Sequence, residues 1–244
     1  MSKSNSANEA IALPKGGGAL HGLGEKFAPD LQSGTGNFSV PIALPPGRQG
    51  FQPELSLVYS SGSGNSAFGL GWGLSLPGIS RKTYRGVPRY NEVAPSGEEP
   101  RDVFILSGAE DLVPIAGSYP GRVRYAPRTE GLFARIEHLW DAGGNFWEVR
   151  SKDGLLTRYG MPRPEGVGTD WQDPAIIRGL DTDRVFAWKI TETRDPFGNQ
   201  IRYEYLADLG NEPGHQWNQP LIRRISYADY ADPLQPSFPG HRRV

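Results

Sequence analysis

The chain has 244 residues, no cysteine, and 26 basic against 27 acidic side chains for a net charge of −1. This excludes a disulfide scaffold, thiolate-bound zinc, a cysteine nucleophile and a broad basic face for nucleic acid. Glycine and proline together make up about a fifth of the residues, which argues against long helices and for many short strands joined by turns.

Residues 1–12 are small and polar and read as a flexible arm, without the apolar core of a signal peptide. Nowhere is there a run of about 18 apolar residues for a membrane helix. Leu13 to Phe27 is glycine-rich, but no Gly-Lys-Ser/Thr follows it and no G-x-G-x-x-G register fits the chain, so a phosphate loop is set aside. It reads as an extended segment lying across a sheet.

The organising stretch is Gly34 to Ser80. Phe38, Val40 and Ile42 alternate with polar neighbours, as do Leu55, Leu57 and Tyr59, the period of a strand with one buried face. Pro45 to Gly47 and Gly62 to Asn65 supply turns. Gly69, Gly71 and Gly73 then alternate with Leu70, Trp72 and Leu74. Glycine at every second position predicts a bare strand face open to a large ring or another backbone, with Trp72 as the anchor opposite.

Arg81 to Tyr90 carries four cations and two tyrosines. A single-stranded nucleic acid site is the sharp reading; a solvated edge strand and loop is preferred, because acids follow at once. Asp102 to Ile115 gives a hairpin signal around Ser107 to Asp111. Residues 133–138 alternate and lead to a turn from Asp141 to Asn145, then a strand at Phe146 to Arg150. Lys152 to Gly154 predicts a type I′ hairpin turn, with Leu155 to Tyr159 returning antiparallel. Met161 to Gly179 reads as a loop. Val185 to Thr193 alternates, Asp195 to Asn199 turns, and Gln200 to Tyr205 alternates again. The two D-x-x-G-N turns each join strands, with Asp and Asn capping and Gly in the left-handed position. Leu221 to Tyr227 predicts one more strand.

Catalytic chemistry finds little support. His21, His138, His215 and His241 lack metal-ligand spacing, and no G-x-S-x-G elbow exists. Asp141, Asp153 and Asp195 sit in turns without EF-hand spacing. Trp72, Trp140, Trp147, Trp171, Trp188 and Trp217 suit a sugar groove or, preferably, core packing. No catalytic, cofactor-binding or metal residue is assigned.

Several ordered segments resemble the SpvB/TcaC-type N-terminal domain that opens the B component of insecticidal toxin complexes (Tc toxins) and the virulence plasmid B protein. They are Leu13 to Gly18, Gly22 to Phe27, Gly34 to Gly36 with Val40 to Ile42, Pro46 to Arg48 with Gly50 and Phe51, Leu55 to Leu57 with Tyr59, Phe68 to Trp72 with Leu76 and Pro77, Asp102 to Pro114, and Ser151 to Gly154. The Asp195 segment also resembles a degenerate YD (RHS-type) repeat. The likeness covers about Leu13 to Tyr230.

The resemblance implies an all-β fold: an antiparallel β-sheet shell segment with hairpins and long Gly/Pro-rich loops, RHS/YD-like at its C-terminal end. It implies a β domain over 13–230, with 13–120 as the Gly/Pro-rich part and 121–230 as the hairpin part, and a tail at 231–244 that reads as cut from something longer. It further implies a non-catalytic module of a secreted toxin, helping to enclose and deliver an effector. Its partners would be a downstream β-propeller and RHS segments, the C component and then the A-component channel, with neither nucleic acid nor direct membrane insertion involved. The product would be made in the bacterial cytoplasm and act outside it without a classical signal peptide. A secretion or docking module of an ADP-ribosylating toxin, and a carbohydrate-binding β domain, are the alternatives. No Glu-x-Glu pair is present for the transferase. A shell module predicts at least one long unpaired strand edge and a concave inner face.

Overall fold

The structure is a computed structural model, and it describes residues 26–30, 34–84, 86–90, 102–107, 110–115, 121–129, 133–141, 144–179, 184–231 and 239–240. Every strand pairing among these residues is antiparallel, the helical content is one short 3-10 turn at Arg48–Gly50, and the rest is turns and loops. Of the segment from Leu13 to Phe27 only Lys26 and Phe27 are described, as the start of a strand, and residues 91–101 lie outside the described residues. Contacts divide the chain into two units, residues 1–42 with 56–73, and residues 43–55 with 74–244.

The first unit carries a four-stranded sheet in the order β1-β2-β3-β6. Its strands are β1 (Lys26–Asp30), β2 (Thr35–Ile42), β3 (Leu55–Ser60) and β6 (Trp72–Leu74); the short β4 (Asn65–Ser66) and β5 (Gly69–Leu70) pair with each other. Trp72 anchors the sheet, its ring 6.2 Å from Phe38 and 5.3 Å from Tyr59. The bare glycine face holds at one position only. Gly71 has φ +78, and a Cβ there would meet the Tyr59 ring at 2.5 Å; Gly69 and Gly73 face open space. The left-handed Gly71 also splits the expected single strand into β5 and β6, because a positive φ interrupts the pleat.

The second unit contains a closed ring of eight antiparallel strands. In order they are β7 (Gly78–Arg81), β8 (Phe104–Leu106), β9 (Glu110–Pro114), β10 (Arg122–Pro127), β11 (Arg135–Asp141), β12 (Gly144–Arg150), β13 (Leu156–Tyr159) and, after the short β14 (Ile176–Arg178), β15 (Val185–Arg194). Consecutive strands from β7 to β13 pair, and β15 closes the ring by pairing with both β13 and β7. Lys189 shows the closure. Its carbonyl accepts from Gly160 and its N–H donates to Ala175. That places β13 and β14 on one edge of β15 and leaves the other edge to β7 and, further along, to the strand that begins at Asn199.

Eight strands leave an interior just wide enough for side chains to fill. Period-two alternation fills it: along β10, Val123, Tyr125 and Pro127 are buried while Arg124 is exposed. Phe104 sits at the centre, within 4.9–5.8 Å of the rings of Tyr125, His138, Trp147 and Trp188. A bulge between β13 and β15 pairs Arg158 with Glu192 and Tyr159 with Ile190. The intervening Thr191 turns its hydroxyl to the Gly160 carbonyl at 2.5 Å.

Arg81 departs from the expected solvated edge. It is fully buried, 2.8 Å from Asp102, and its Nε donates to the Val185 carbonyl at 2.7 Å. The rings of Tyr90, Phe104 and Trp188 surround the guanidinium. A charge survives burial when paired and hydrogen-bonded, and Asp102 also accepts the N–H groups of Arg89 and Tyr90. The Lys152 turn differs in type. Gly154 takes φ +83 while Asp153 does not go positive, so a type I turn with a glycine bulge replaces type I′.

Beyond the ring, β16 (Asn199–Glu212) and β17 (His215–Ala231) form one long hairpin. The tip is Pro213 and Gly214, with Gly214 at φ +79. The short β18 (Pro239–Gly240) pairs with the end of β17. The two strands expected at Gln200 to Tyr205 and Leu221 to Tyr227 are the base of this hairpin, which runs much further.

Candidate assembly surface

The hairpin grows from a turn that its sequence dictates. Asp195 Oδ1 accepts from the N–H groups of Phe197 and Asn199, each at 2.9 Å, and its Oδ2 accepts the Asn199 side chain at 2.6 Å. Gly198 takes the left-handed position at φ +87, as the motif predicts. At the base, Tyr227 donates its hydroxyl to the Pro45 carbonyl, and the Arg48 guanidinium lies 4.4 Å from the Tyr230 ring.

Only three residue pairs, ending at Glu192 with Arg202, join β16 to β15. From Tyr203 to Glu212, β16 pairs with β17 alone. Among the described residues no strand pairs along the other edge of that stretch, nor along the outer edge of β17 from His215 to Asp229, although β14 lies close to β17, where the Asn218 amide meets the Arg178 carbonyl. Among the described residues the expected unpaired edges are therefore present along these stretches. The distal faces are exposed as well, with Leu206 at 51% and Leu209 at 46%.

What stiffens the distal part is a ring over a glycine. Gly210 and Trp217 are register partners, and a Cβ on Gly210 would lie 1.8 Å from the indole. Trp217 Nε1 donates to Asp208 at 3.2 Å, the His215 ring stacks at 5.3 Å, and the Asn218 amide reaches the Arg178 carbonyl at 3.0 Å. The sequence signal was a tryptophan opposite a glycine across a Pro-Gly turn, without the apolar alternation that marks half-buried strands.

The residues weighed for chemistry do not converge. His138 is buried in the barrel and His215 stands on the hairpin; His21 and His241 lie outside the described residues. Burial pushes His138 down to about 3, with the Arg81 charge adding to this and the Asn145 hydrogen bond opposing it. Its Nε2 donates to Asn145 Oδ1 at 2.8 Å, and Trp188 Nε1 donates to the same oxygen at 2.9 Å. The ring is thus a neutral core group. Asp153 is exposed and Asp195 caps its own turn, while the Asp141 side chain is outside the described set. Among the described residues no group of three potential metal ligands occurs. Trp147 and Trp188 are core, Trp140 packs against that core, Trp171 lies in the irregular stretch before β14, Trp217 belongs to the hairpin and Trp72 to the other unit.

A cleft of about 730 Å³ runs along Phe51, Leu76, Thr157, Tyr159, Thr193 and Tyr203. Its titratable lining groups are Glu54, Tyr159, Lys189 and Tyr203. Burial raises both tyrosines to about 12 and lowers Lys189. Elsewhere, burial raises Asp173 to about 6 against the N–H groups of Ala175 and Met161. That carboxylate ties the Met161 and Ala175 backbones together at 2.7 and 2.8 Å.

The comparisons with known proteins agree with this architecture. The sequence profile described as Salmonella virulence plasmid 65kDa B protein (SpvB) matches residues 30–222. Mono(ADP-ribosyl)transferase SpvB of Salmonella typhimurium is 33% identical over 241 residues, covering 90% of this chain and 37% of that protein. The Salmonella enteritidis protein gives the same figures, so the chain spans little more than a third of these relatives.

Among solved structures, the N-terminal domain of the effector SpvB from Salmonella typhimurium LT2 superposes with TM-score 0.60 at 27% identity, over 82% of this chain and 65% of that one. The TcdB2-TccC3 crystal structure superposes with TM-score 0.68 at 27% identity, over 99% of this chain and 12% of that chain. The Photorhabdus luminescens Tc holotoxin pore gives 0.67 at 27%, over 97% and 12%. The chain belongs to the Salmonella virulence plasmid 65kDa B protein (SpvB) family.

Proposed function

We propose that the chain is a non-catalytic structural module of a secreted bacterial toxin, contributing part of a β-sheet shell that encloses an effector and helps deliver it. The observation that carries this reading is the β16–β17 hairpin, whose two long edges offer unpaired backbone groups. Exposed edges are ordinarily shortened, charged or covered, because they recruit further strands. Edge pairing onto adjoining strands satisfies these groups and continues the sheet. The adjoining strands belong to β-propeller and RHS/YD-type segments and to the C component of a toxin complex, with the A-component channel engaged afterwards. The 13–230 span acts as the building block, and its product works outside the bacterial cell.

A second reading rests on the 33% identity to mono(ADP-ribosyl)transferase SpvB: the same fold serves as a docking or secretion module ahead of a transferase. The scattered tryptophans disfavour a carbohydrate groove. The structure of the intact toxin containing this chain tests the proposal. A further strand hydrogen-bonded along 203–212 or 215–229 supports it, and both edges left in solvent in the finished assembly contradict it.

A further inference from the structure

The outer face of the barrel carries an ordered arginine stripe. Cross-strand register aligns Arg124, Glu137, Glu148, Arg158, Glu192 and Arg202 across six strands from β10 to β16. A second row beside it holds Arg135 opposite Arg150, then Leu156 opposite Arg194. Arg122 lies next to the start of the first row. Seven arginines therefore face three glutamates, although the whole chain is close to neutral.

Each glutamate is gripped by two arginines. Arg122 and Arg135 hold Glu137 at 2.5 and 2.8 Å. Arg158 and Arg150 hold Glu148 at 2.9 and 3.4 Å. Arg158 and Arg194 hold Glu192 at 2.8 and 2.7 Å. Burial works against the Glu137 charge, yet the two arginine hydrogen bonds outweigh it and hold this carboxyl below its usual range.

The flanking arginines remain open to solvent, Arg122, Arg135 and Arg150 at 42%, 51% and 53%, whereas Arg158, held by glutamates on both sides, is 28% exposed. Arg124 is exposed too, with no hydrogen bond or ion pair from its side chain among the described residues. A guanidinium has five donors in a fixed fork. Pinning one side on a glutamate orients the rest outward at little further entropic cost. The nearby acids are already engaged, Glu204 with Arg224 and Asp111 with Lys82 and Arg128.

We propose that this stripe docks an acidic polypeptide segment lying across the barrel strands. Charge complementarity and spacing favour that occupant. Strands lie about 4.8 Å apart, so Arg124, Arg158 and Arg202 fall at intervals of roughly 14 and 10 Å. An extended chain turns a side chain to one face about every 6.7 Å, and about eight residues span the row. The interposed glutamates repel a polyanion with dense charge, such as duplex DNA with one charge per about 1.7 Å, and leave room for carboxylates set at intervals. Apart from Arg202, which directly precedes the open edge of β16, the row lies on the barrel face, and the variants below leave the hairpin edges unchanged.

The test uses the chain as it is, with a fluorescein-labelled ten-residue peptide of alternating glutamate and glycine, read by anisotropy at about 0.05 M salt. The expected result is saturable binding that a serine-glycine peptide lacks. It should weaken at least tenfold in the Arg124→Glu/Arg150→Glu variant, whose melting temperature stays that of the parent, and not in Arg223→Glu, at an exposed position of β17 outside the stripe. Absence of binding, or binding indifferent to the double variant, overturns the proposal. So does a heparin fragment of equal length binding as tightly through the same arginines, which would mark a general polyanion surface.

Discussion

His138 and Trp147 stack inside the barrel, their ring centroids 4.2 Å apart and their planes 5° from parallel. The stack holds a neutral imidazole where an imidazolium would be desolvated. Burial, the largest cause, lowers His138 from 6.5 to about 3. A base whose folded value is depressed contributes stability that is complete above the unfolded value and is lost as pH falls toward the folded one. Urea unfolding at pH 7 and pH 4 should therefore show the parent losing about 3 kcal/mol more than His138→Phe, at 1.36 kcal/mol per unit. Parallel losses in the two proteins would remove His138 as the acid-sensitive group.

The Arg81–Asp102 pair should be costly to break from one side. Asp102→Asn leaves the Arg81 charge buried without its partner, which costs about 3–5 kcal/mol. Replacing both residues by apolar groups of similar size should cost less than Asp102→Leu alone. Denaturant titration of the three variants gives the comparison, and a double variant no more stable than Asp102→Leu would contradict the coupling.

At the hairpin base, Asp195→Ala removes three acceptor contacts and should cost about 2 kcal/mol. Asp153→Ala, in an exposed turn, should change stability by less than about 0.5 kcal/mol. Equal effects at the two positions would show that the turn does not depend on its aspartate.

Gly210→Val should push the Trp217 indole off its seat, since even a Cβ meets the ring at 1.8 Å. Amide exchange across residues 206–220 should accelerate about tenfold while the urea midpoint stays put, because this stretch adds little to the barrel core. A global loss of stability would mean that the distal hairpin is integral to the folding unit.

Much of this was legible in the sequence because it is local. The β8–β9, β11–β12 and β12–β13 hairpins follow from alternation punctuated by Ser-Gly, Gly-Gly and Asp-Gly, and Asp195 to Asn199 folds as its residues require. Ring closure was not legible, since Ser80 meets Ala187 across more than a hundred residues and no local pattern encodes that pairing. Arg81 misled because a cation beside Lys82 reads as surface, while its buried partner Asp102 comes after a long loop. Residues 206–220 misled for the opposite reason. Both hairpin faces are exposed there, so no apolar period was needed, and backbone pairing with one Gly–Trp contact suffices. At the candidate surface, the edges were anticipated but not their place on one long hairpin.

On the proposed reading, β16 and β17 keep their outer edges for another strand. Hydrogen exchange of residues 203–212 and 215–229, measured in this chain alone and in the intact toxin, tests it most directly. The expected result is rapid exchange at alternate amides in the chain alone and strong protection of those same amides in the assembly. Full protection already in the isolated chain, or unchanged rapid exchange after assembly, would contradict the account.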